Sequence, residues 1–316
     1  MSLDPESKQW LKRTLGENVI FDEPMARHTS FRVGGPAEAY IAPVNTKCLT
    51  DIIRWAVEKK IPYMVVGDGT NLLVKDSGIQ GFVIVFRKCL EKISKTGADH
   101  HGSMVTAMAG AKMQALCWFA INNGLEGMNF ALGIPGTVGG GIMMNAGTAL
   151  GSVEEVIDSV KILLPTGQIR EIGINHLRFG YRDLKWEDIN GRMPQGQHII
   201  LEGCFRLGPS DPLTLKKEAE TILKRRKEWQ PTRYPSAGCF FKNPPHGRTA
   251  GELIDQAGLK KKRVGDAAVS EKHANFIVNT GNATAADILS LMEHIQETVF
   301  KCFNIELEPE VKIVGT

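Results

Sequence analysis

The feature that most constrains this chain is a stretch without any charged residue, Gly127 to Val153, which contains eight glycines and Pro135. An uncharged run of this length could suggest a membrane span, but the glycines and the proline leave too little apolar surface and too weak a helix. Three consecutive glycines, Gly139 to Gly141, also cost conformational entropy on folding. We therefore interpret the segment as backbone that lies close to a flat or phosphorylated group. A close backbone crossing inside the core is the alternative.

A second glycine-containing segment, Gly67-Asp68-Gly69-Thr70-Asn71, follows the apolar run that ends at Val66. Glycines let backbone N–H groups approach an anion, and successive N–H groups can form a nest for phosphate. A tight structural turn explains the same residues. The dinucleotide fingerprint is excluded because the chain continues as a strand after the loop, and the absence of any Gly-Lys pair excludes a Walker A motif. Two such loops, with no helix terminus involved, indicate a large phosphorylated cofactor held mainly by main chain.

Composition excludes several classes of protein. The 316 residues suggest two or three domains, and 42% apolar with 23% charged residues is typical of a globular chain. A net charge of +3 is too small to indicate a nucleic-acid partner. The six cysteines form no CxxC pair and the histidines have no ligand spacing, with His100-His101 in a polar turn, so we expect no metal site and no disulfide framework. The N-terminus lacks the apolar core of a signal peptide, which predicts a cytoplasmic, non-membrane protein.

Hydrophobic periodicity predicts a βαβ-like unit in the first part of the chain. A helix begins after Asn45 or Thr46, ends before Ile61-Pro62, and is followed by strands at Tyr63–Val66 and Phe82–Phe86. Its predicted apolar face consists of Leu49, Ile52, Ile53, Ala56 and Val57.

Further elements follow along the chain. A second helix carries Met113, Leu116, Cys117, Ala120 and Ile121 on one face and ends at Asn123-Gly124. A hairpin is predicted from Val156–Leu164 and Gln168–Ile172, around the turn Pro165-Thr166-Gly167.

The last third of the chain begins at a predicted linker, Gly208-Pro209-Ser210-Asp211-Pro212. A basic helix from Leu213 to Trp229 follows, and we interpret its charges as a solvated face, with attraction of an anionic ligand as the alternative. A final long helix is capped by Thr284 with Asp287, and its apolar stripe consists of Ile288, Leu291, Met292, Ile295 and Val299.

Three short polar segments could carry chemistry. Cys239 lies in Ser236-Ala237-Gly238-Cys239-Phe240-Phe241-Lys242-Asn243, where it could be a nucleophile, a general acid or a buried structural thiol. The charges of Phe179-Gly180-Tyr181-Arg182-Asp183 and Leu307-Glu308-Pro309-Glu310-Val311 are, by themselves, those of a solvated surface.

Together and in this order, these segments resemble the UDP-N-acetylenolpyruvoylglucosamine reductase family, flavoenzymes of early peptidoglycan synthesis. The resemblance runs from Thr29-Ser30-Phe31-Arg32-Val33-Gly34-Gly35 to Glu310-Val311-Lys312-Ile313-Val314-Gly315. It implies an α+β protein with a two-part FAD-binding region of the vanillyl-alcohol-oxidase (PCMH) type, at about 31–208, and a C-terminal α+β substrate-binding domain. The expected domains are 1–90 for the N-terminal segment and first FAD subdomain, 91–208 for the second, and 209–316 for the substrate-binding domain.

The resemblance also implies roles for residues at matching positions. Arg182 and Glu310 match the family's active-site arginine and glutamate, and Cys239 stands where many members have the serine that donates a proton. This thiol is a departure from the common pattern. With a pKa near the ordinary value of about 8.5 it would still be mostly protonated at neutral pH. Asn243 and Lys242 are expected substrate contacts. The residues expected to hold noncovalent FAD are Gly67, Asp68, Gly69, Thr70, Asn71, Gly133, Gly136, Thr137, Gly139, Gly140, Gly141 and Asn145.

The implied reaction is NADPH-dependent reduction, through FAD, of the enolpyruvyl group of a UDP-sugar. The region between Leu207 and Cys239 has no obvious inserted substrate loop, so the chain resembles the shorter, second type of the family, and a monomer is expected. Two other hypotheses remain open from the residues. One is a flavin oxidase of the same fold superfamily, which would lack the segments around Arg182, Cys239 and Glu310. The other is a non-enzymatic sugar-nucleotide or nucleic-acid binding protein that uses the basic helix and would be colourless.

Overall fold

The computed structural model describes residues 3–99, 102–187 and 197–316. Predictions for His100 and His101 lie outside the described residues. Within the described ranges, no helix is long and apolar enough to cross a membrane. The same residues contain no group of three His, Cys, Asp or Glu side chains arranged to hold a metal ion.

The N-terminal region is a four-stranded sheet covered on one face by a helix. Its elements are α1 (Pro5–Leu15), β1 (Val19–Pro24), β2 (Pro36–Ile41), α2 (Thr46–Glu58), β3 (Tyr63–Val65), β4 (Leu72–Val74) and β5 (Ile79–Ile84). The strand order is β1-β2-β5-β3, and β5 is parallel to both β2 and β3, which confirms the βαβ-like unit. Helix α2 begins where the Asn45 side chain accepts the N–H of Cys48. The predicted apolar face is buried except for Val57, which is 45% exposed because it lies at the solvent edge of that face.

The middle region is built on a six-stranded antiparallel sheet. Its elements are β6 (Ile93–Asp99), β7 (Gly102–Met108), α3 (Met113–Asn122), β8 (Leu125–Glu126), α4 (Val138–Met143), β9 (Gly147–Thr148), β10 (Gly151–Ser152), β11 (Ile157–Leu163), β12 (Ile169–Gly173), β13 (Leu177–Gly180), β14 (Asp183–Trp186), β15 (Ile199–Pro209) and α5 (Pro212–Trp229). The sheet order is β12-β11-β15-β7-β6, with β8 also paired to β15. The predicted hairpin is confirmed by the antiparallel pairing of β11 with β12.

The predicted linker is wrong. Gly208 and Pro209 belong to the end of β15, where they pair with Glu126 and Leu125, and Asp211 caps the N-terminus of α5. Prolines are tolerated here because Pro209 lies at a strand end and Pro212 occupies the first turn of a helix. Helix α5 then packs its Leu215 and Ala219 into the same apolar core as the middle sheet.

The C-terminal region is built around a second core, to which Phe31, Val33 and Leu73 of the N-terminal region also contribute. Its elements are α6 (Ala250–Gln256), β16 (Arg263–Val264), β17 (Ala267–Val269), β18 (Ile277–Asn279), α7 (Ala285–Phe303) and β19 (Lys312–Val314). The predicted cap and apolar stripe of α7 are confirmed, since Thr284 and Asp287 form a capping box and all five stripe residues are buried. Strand β19 runs parallel to β4, so the chain returns to the segment that directly follows the Gly67–Asn71 loop.

Candidate active site

The two glycine segments lie against each other. A Cβ on Gly67 would lie 2.5 Å from Thr137 Oγ1, so the Thr137 side chain packs directly against Gly67 and leaves no room for a side chain there. Thr70 Oγ1 donates to the carbonyl of Pro135 at 3.2 Å. The segments that sequence reasoning treated separately therefore form one surface.

This surface presents backbone donors that the protein itself leaves unused. Within the described residues, the N–H groups of Gly67, Asp68, Gly69, Thr70, Gly136 and Thr137 donate no hydrogen bond to the protein. Partly buried backbone N–H groups nearly always have a partner, and a cluster of them forms a site for an anion. The donor set therefore fits the pyrophosphate of a dinucleotide cofactor.

The second glycine segment contains a short helix, which differs from the expectation of two loops. Thr137 caps α4, and its Oγ1 accepts the N–H of Gly140 at 3.4 Å. A Cβ on Gly139 would lie 2.8 Å from Ala109 Cβ, and one on Gly141 would lie 2.1 Å from Met113 Cε. Those two glycines are explained by close packing in the core. Gly140 is different, because its nearest neighbour would be 3.5 Å away, so its outer face is open.

The other predicted cofactor residues have identifiable partners. Asp68 forms an ion pair with Lys112 at the N-terminus of α3. Gly69 has a positive φ of 63° and accepts the N–H of Ser30 on its carbonyl. The carbonyl of Gly136 accepts the N–H of Met113. Asn71 donates from Nδ2 to the backbone carbonyl of Glu310 at 3.1 Å, which joins the loop to a predicted catalytic residue.

Arg182 and Glu310 come together although they are far apart in sequence. Arg182 Nε donates to Glu310 Oε1 at 2.9 Å, and the two side chains are only 20% and 16% exposed. Nη1 and Nη2 of Arg182 donate to the carbonyls of Asn145 and Gly147 at 3.4 and 3.1 Å. Since a guanidinium has five N–H groups, about two remain for a ligand. The sequence interpretation of these charges as solvated surface is therefore wrong.

The burial of this pair changes its electrostatics. Burial raises the pKa of Glu310 above its ordinary value, and the adjacent Arg182 opposes that rise. Charge-assisted bonds of this kind are short and directional, so Glu310 fixes the plane of the Arg182 fork.

Cys239 reaches the same place by backbone pairing. Phe241 forms an isolated bridge with Pro309, and Glu310 N–H donates to the carbonyl of Phe240 at 2.8 Å. The rings of Phe240 and Phe241 are buried in the C-terminal core, which anchors the half-buried thiol at the edge of that core.

The thiol differs from the sequence expectation in its acidity. Burial raises the pKa of Cys239 to about 11, well above the ordinary value. The carboxylate of Glu310 adds to this rise, and the guanidinium groups of Arg182 and Arg226 lower the pKa in the opposite direction. All three charged groups therefore act on the sulfur, and the thiol is held protonated at neutral pH.

The two predicted substrate contacts, Lys242 and Asn243, are more exposed to solvent than Arg182 and Glu310. Lys242 Nζ pairs with Glu308 at 3.2 Å, on the segment that carries Glu310. Asn243 is exposed, and its Oδ1 accepts the N–H of Ala250 at the start of α6. The amide nitrogen of Asn243 has no protein acceptor among the described residues, so it is available to a ligand.

Sequence reasoning missed Arg226, which it placed on a solvated helix face. Arg226 Nη2 donates to the carbonyl of Gly133 at 3.0 Å, and the guanidinium packs where a Cβ on Gly133 would lie. Burial lowers the pKa of Arg226, and no described carboxylate pairs with it. The helical spacing of Leu215, Ala219, Ile222 and Arg226 puts the arginine on the buried stripe of α5, which was the signal available in the sequence.

Comparison with known proteins accords with this geometry. Residues 37–173 match a model described as FAD binding domain, and residues 230–314 match the C-terminal domain of UDP-N-acetylenolpyruvoylglucosamine reductase. A reductase of that name from Desulfosudis oleivorans is 45% identical over 313 residues, which cover 99% of this chain and 100% of the relative. The chain belongs to the UDP-N-acetylenolpyruvoylglucosamine reductase family.

Other members support the same assignment. The reductase of Clostridium botulinum is 42% identical over 298 residues, which cover 94% of this chain and 93% of the relative. The crystal structure of the reductase from Thermus caldophilus is 33% identical, with a TM-score of 0.77 over 94% of this chain and 98% of that chain. Membership confirms the α+β fold with its FAD-binding region and makes the protein an FAD-dependent oxidoreductase that uses NADPH.

Proposed function

We propose that this protein reduces the enolpyruvyl group of UDP-N-acetylglucosamine-enolpyruvate to give UDP-N-acetylmuramate, with NADPH as the hydride donor. The observation that carries the proposal is the convergence of Arg182, Glu310 and Cys239 next to the two glycine segments. A flavin oxidase of similar fold has no need for a protonated thiol beside a buried arginine–glutamate pair. A simple binding protein does not need one either.

The cofactor is held by main chain. The free N–H groups of Gly67–Thr70 and of Gly136 and Thr137 would hold the pyrophosphate, and the open face of Gly140 leaves room for a flat ring. When bound, FAD would supply the hydride-transfer chemistry that links NADPH to the substrate. Neither segment contains a His or Cys that could form a covalent link to the flavin, which supports noncovalent attachment.

Arg182 stabilises the charge that develops on the substrate. Hydride addition to the enolpyruvyl double bond places negative charge next to the substrate carboxylate, and a fixed guanidinium lowers the energy of that charge. Its fork is already oriented by Glu310 and by two backbone carbonyls, so little reorganisation is needed.

Cys239 donates the proton that completes the reduction. Because its pKa is about 11, the thiol carries its proton throughout the neutral range. It gives that proton to the carbon next to the carboxylate, and the resulting thiolate is stabilised by Arg182 and Arg226. The cationic side of this site therefore serves both the substrate anion and the thiolate.

We infer that three side chains bind the anionic groups of the substrate. Arg226 is a partly buried cation without a carboxylate partner among the described residues, and Lys242 and Asn243 lie at the outer end of the same segment as Cys239. A guanidinium takes carboxylates and phosphates in bidentate geometry, and lysine binds phosphate as a point charge.

The proposal also covers the cellular location, the oligomeric state and the domain boundaries of the protein. We infer a cytoplasmic monomer of the shorter type, in keeping with six free cysteines. The domain division at 90 and 208 stays a prediction. Leu215 and Ala219 of α5 pack in the same apolar core as the middle sheet, which favours assigning α5 to the FAD-binding region.

Two measurements on the purified protein test this function. A yellow protein whose NADPH absorbance falls only when the enolpyruvyl nucleotide is added would support it, with formation of UDP-N-acetylmuramate as the second readout. Steady NADPH oxidation by oxygen alone would favour the oxidase. A colourless protein that takes up no added FAD would favour the binding protein.

A further inference from the structure

The turn that carries Arg182 needs support from outside itself. Tyr181 and Arg182 form a two-residue connection between β13 and β14, where Gly180 pairs with Asp183. Arg182 has φ of 58°, in the left-handed region that glycine and asparagine adopt readily and other residues adopt at a cost. Such a conformation persists where the surroundings impose it.

Asn145 supplies this support from the neighbouring segment. It is buried, with 7% of its surface exposed, and its Nδ2 donates to the carbonyl of Gly180 at 3.2 Å. Nδ2 also donates to Glu154 Oε2 at 3.2 Å, and Oδ1 accepts the N–H of Glu154 at 3.1 Å. Both N–H groups of the amide are therefore used inside the protein. The expectation that this side chain binds the flavin lacks a free donor.

Glu154 determines which way the Asn145 amide faces. Its backbone N–H is a donor and must meet Oδ1, and its carboxylate is an acceptor and must meet Nδ2. In the flipped orientation, Oδ1 would face the carbonyl of Gly180 and the contact would be repulsive. Glu154 thus bonds to both the oxygen and the nitrogen of the Asn145 amide, and this keeps Nδ2 directed at the carbonyl of Gly180.

Asn145 also holds the guanidinium of Arg182. The backbone carbonyl of Asn145 accepts a hydrogen bond from Arg182 Nη1. Asn145 therefore contacts both the base of the turn, at Gly180, and the side chain at its tip. We propose that Glu154, acting through Asn145, is a positioning residue that sets Arg182 for the substrate half of the reaction. This role rests on the proposed function of Arg182.

Two substitutions of Glu154 separate positioning from charge. Glu154→Ala removes the acceptor, and we expect flavin reoxidation by substrate to become about tenfold slower, with kcat lowered and KM unchanged. A tenfold loss corresponds to about 1.4 kcal/mol in activation free energy. Glu154→Gln keeps an acceptor oxygen and should restore most of the rate. FAD content and flavin reduction by NADPH should be nearly normal in both variants.

Glu155→Ala is the matched control. Glu155 is the next residue in the same 3₁₀ turn, is also exposed, and contacts Ser152 rather than Asn145. The proposal is overturned if Glu154→Ala behaves like Glu155→Ala, or if Glu154→Gln is as slow as Glu154→Ala.

A readout that needs no substrate keeps this test separate from the test of function. Solvent exchange of the Arg182 Nε–H, followed by NMR on the flavin-bound protein, should be faster in Glu154→Ala and unchanged in Glu155→Ala. Normal exchange in Glu154→Ala would refute positioning even if the wild-type protein reduced no enolpyruvyl nucleotide. Failure of the wild-type reaction with altered exchange would instead refute the proposed function alone.

Discussion

Arg182 and Glu310 are 128 residues apart in sequence, and their side chains meet at 2.9 Å between Nε and Oε1. Lysine at position 182 would keep the charge but lose the planar fork that reaches Glu310 and two carbonyls together. We therefore expect Arg182→Lys to slow flavin reoxidation by substrate while flavin reduction by NADPH stays nearly normal. Stopped-flow measurement of the two half-reactions makes the comparison.

Arg178→Lys is the control for that substitution. Arg178 lies on β13 of the same hairpin and pairs with Glu187 at the surface, so its replacement should change neither half-reaction. Equal losses in both half-reactions of Arg182→Lys would indicate a cofactor-binding defect and contradict the assigned role.

Cys239 gives a prediction about proton transfer. General-acid assistance is worth about 10²–10⁴-fold in rate, so Cys239→Ala should lose turnover of that order. Cys239→Ser should retain much more, because the hydroxyl holds a proton in a similar place. Near-normal reoxidation of flavin by substrate in Cys239→Ala would exclude the proton donor and favour a structural thiol. Thermal unfolding of both variants would then identify the stability cost.

The charges around the Cys239 thiol predict that two substitutions change its alkylation rate in opposite directions. Only the thiolate is alkylated, and at a pKa of about 11 its population at pH 8 is small and rises with pH. Glu310→Gln removes a negative charge that raises this pKa, so iodoacetamide should label Cys239 faster. Arg226→Gln removes a positive charge that lowers it, so labelling should be slower.

The exposed thiol of Cys302 is an internal control for these labelling rates, measured by mass spectrometry of the peptides. Its rate should be the same in all three proteins. A shift of Cys239 labelling in the same direction for both substitutions would show that access, and not charge, controls the reaction.

The two glycines at the start of α4 predict different failures. A valine at position 140 meets only an ordinary contact at 3.5 Å inside the protein, so Gly140→Val should fold and lose FAD. A valine at position 139 would lie 2.8 Å from Ala109 Cβ, so Gly139→Val should lower the midpoint of thermal unfolding as well. The flavin-to-protein absorbance ratio and the unfolding midpoint distinguish the two. A full complement of FAD in Gly140→Val would remove that glycine from the cofactor site.

Much of the fold could be predicted because local signals agreed with burial. The cap at Asn45 and the capping box at Thr284 each reflect a few neighbouring residues, and both are present in the structure. The linker prediction failed because prolines at a strand end and at the first turn of a helix have the same composition as a flexible connection. Only the pairing partner of β15 distinguishes these cases.

The site was predicted in part, through the family resemblance rather than through periodicity. Nothing local to Glu310 indicates that Asn71 will hold its carbonyl or that Arg182 will neutralise it, because those partners are brought in by the tertiary fold. Arg226 could have been found from its place on the buried stripe of α5. Glu154 could not, since its role depends on the hydrogen bonds of Asn145.

The parallel pairing of β19 with β4 has a consequence for the order of folding. The Asn71–Glu310 hydrogen bond that continues this pairing spans 239 residues, and contacts of such separation form late because long loops must close first. The stacked pair of Trp10 and Trp55 packs against the apolar core shared by the N-terminal and middle regions, and neither ring takes part in this pairing. During refolding, tryptophan fluorescence should recover before catalytic turnover does. Turnover is expected to return last because this pairing brings Glu310 to Arg182 and Asn71.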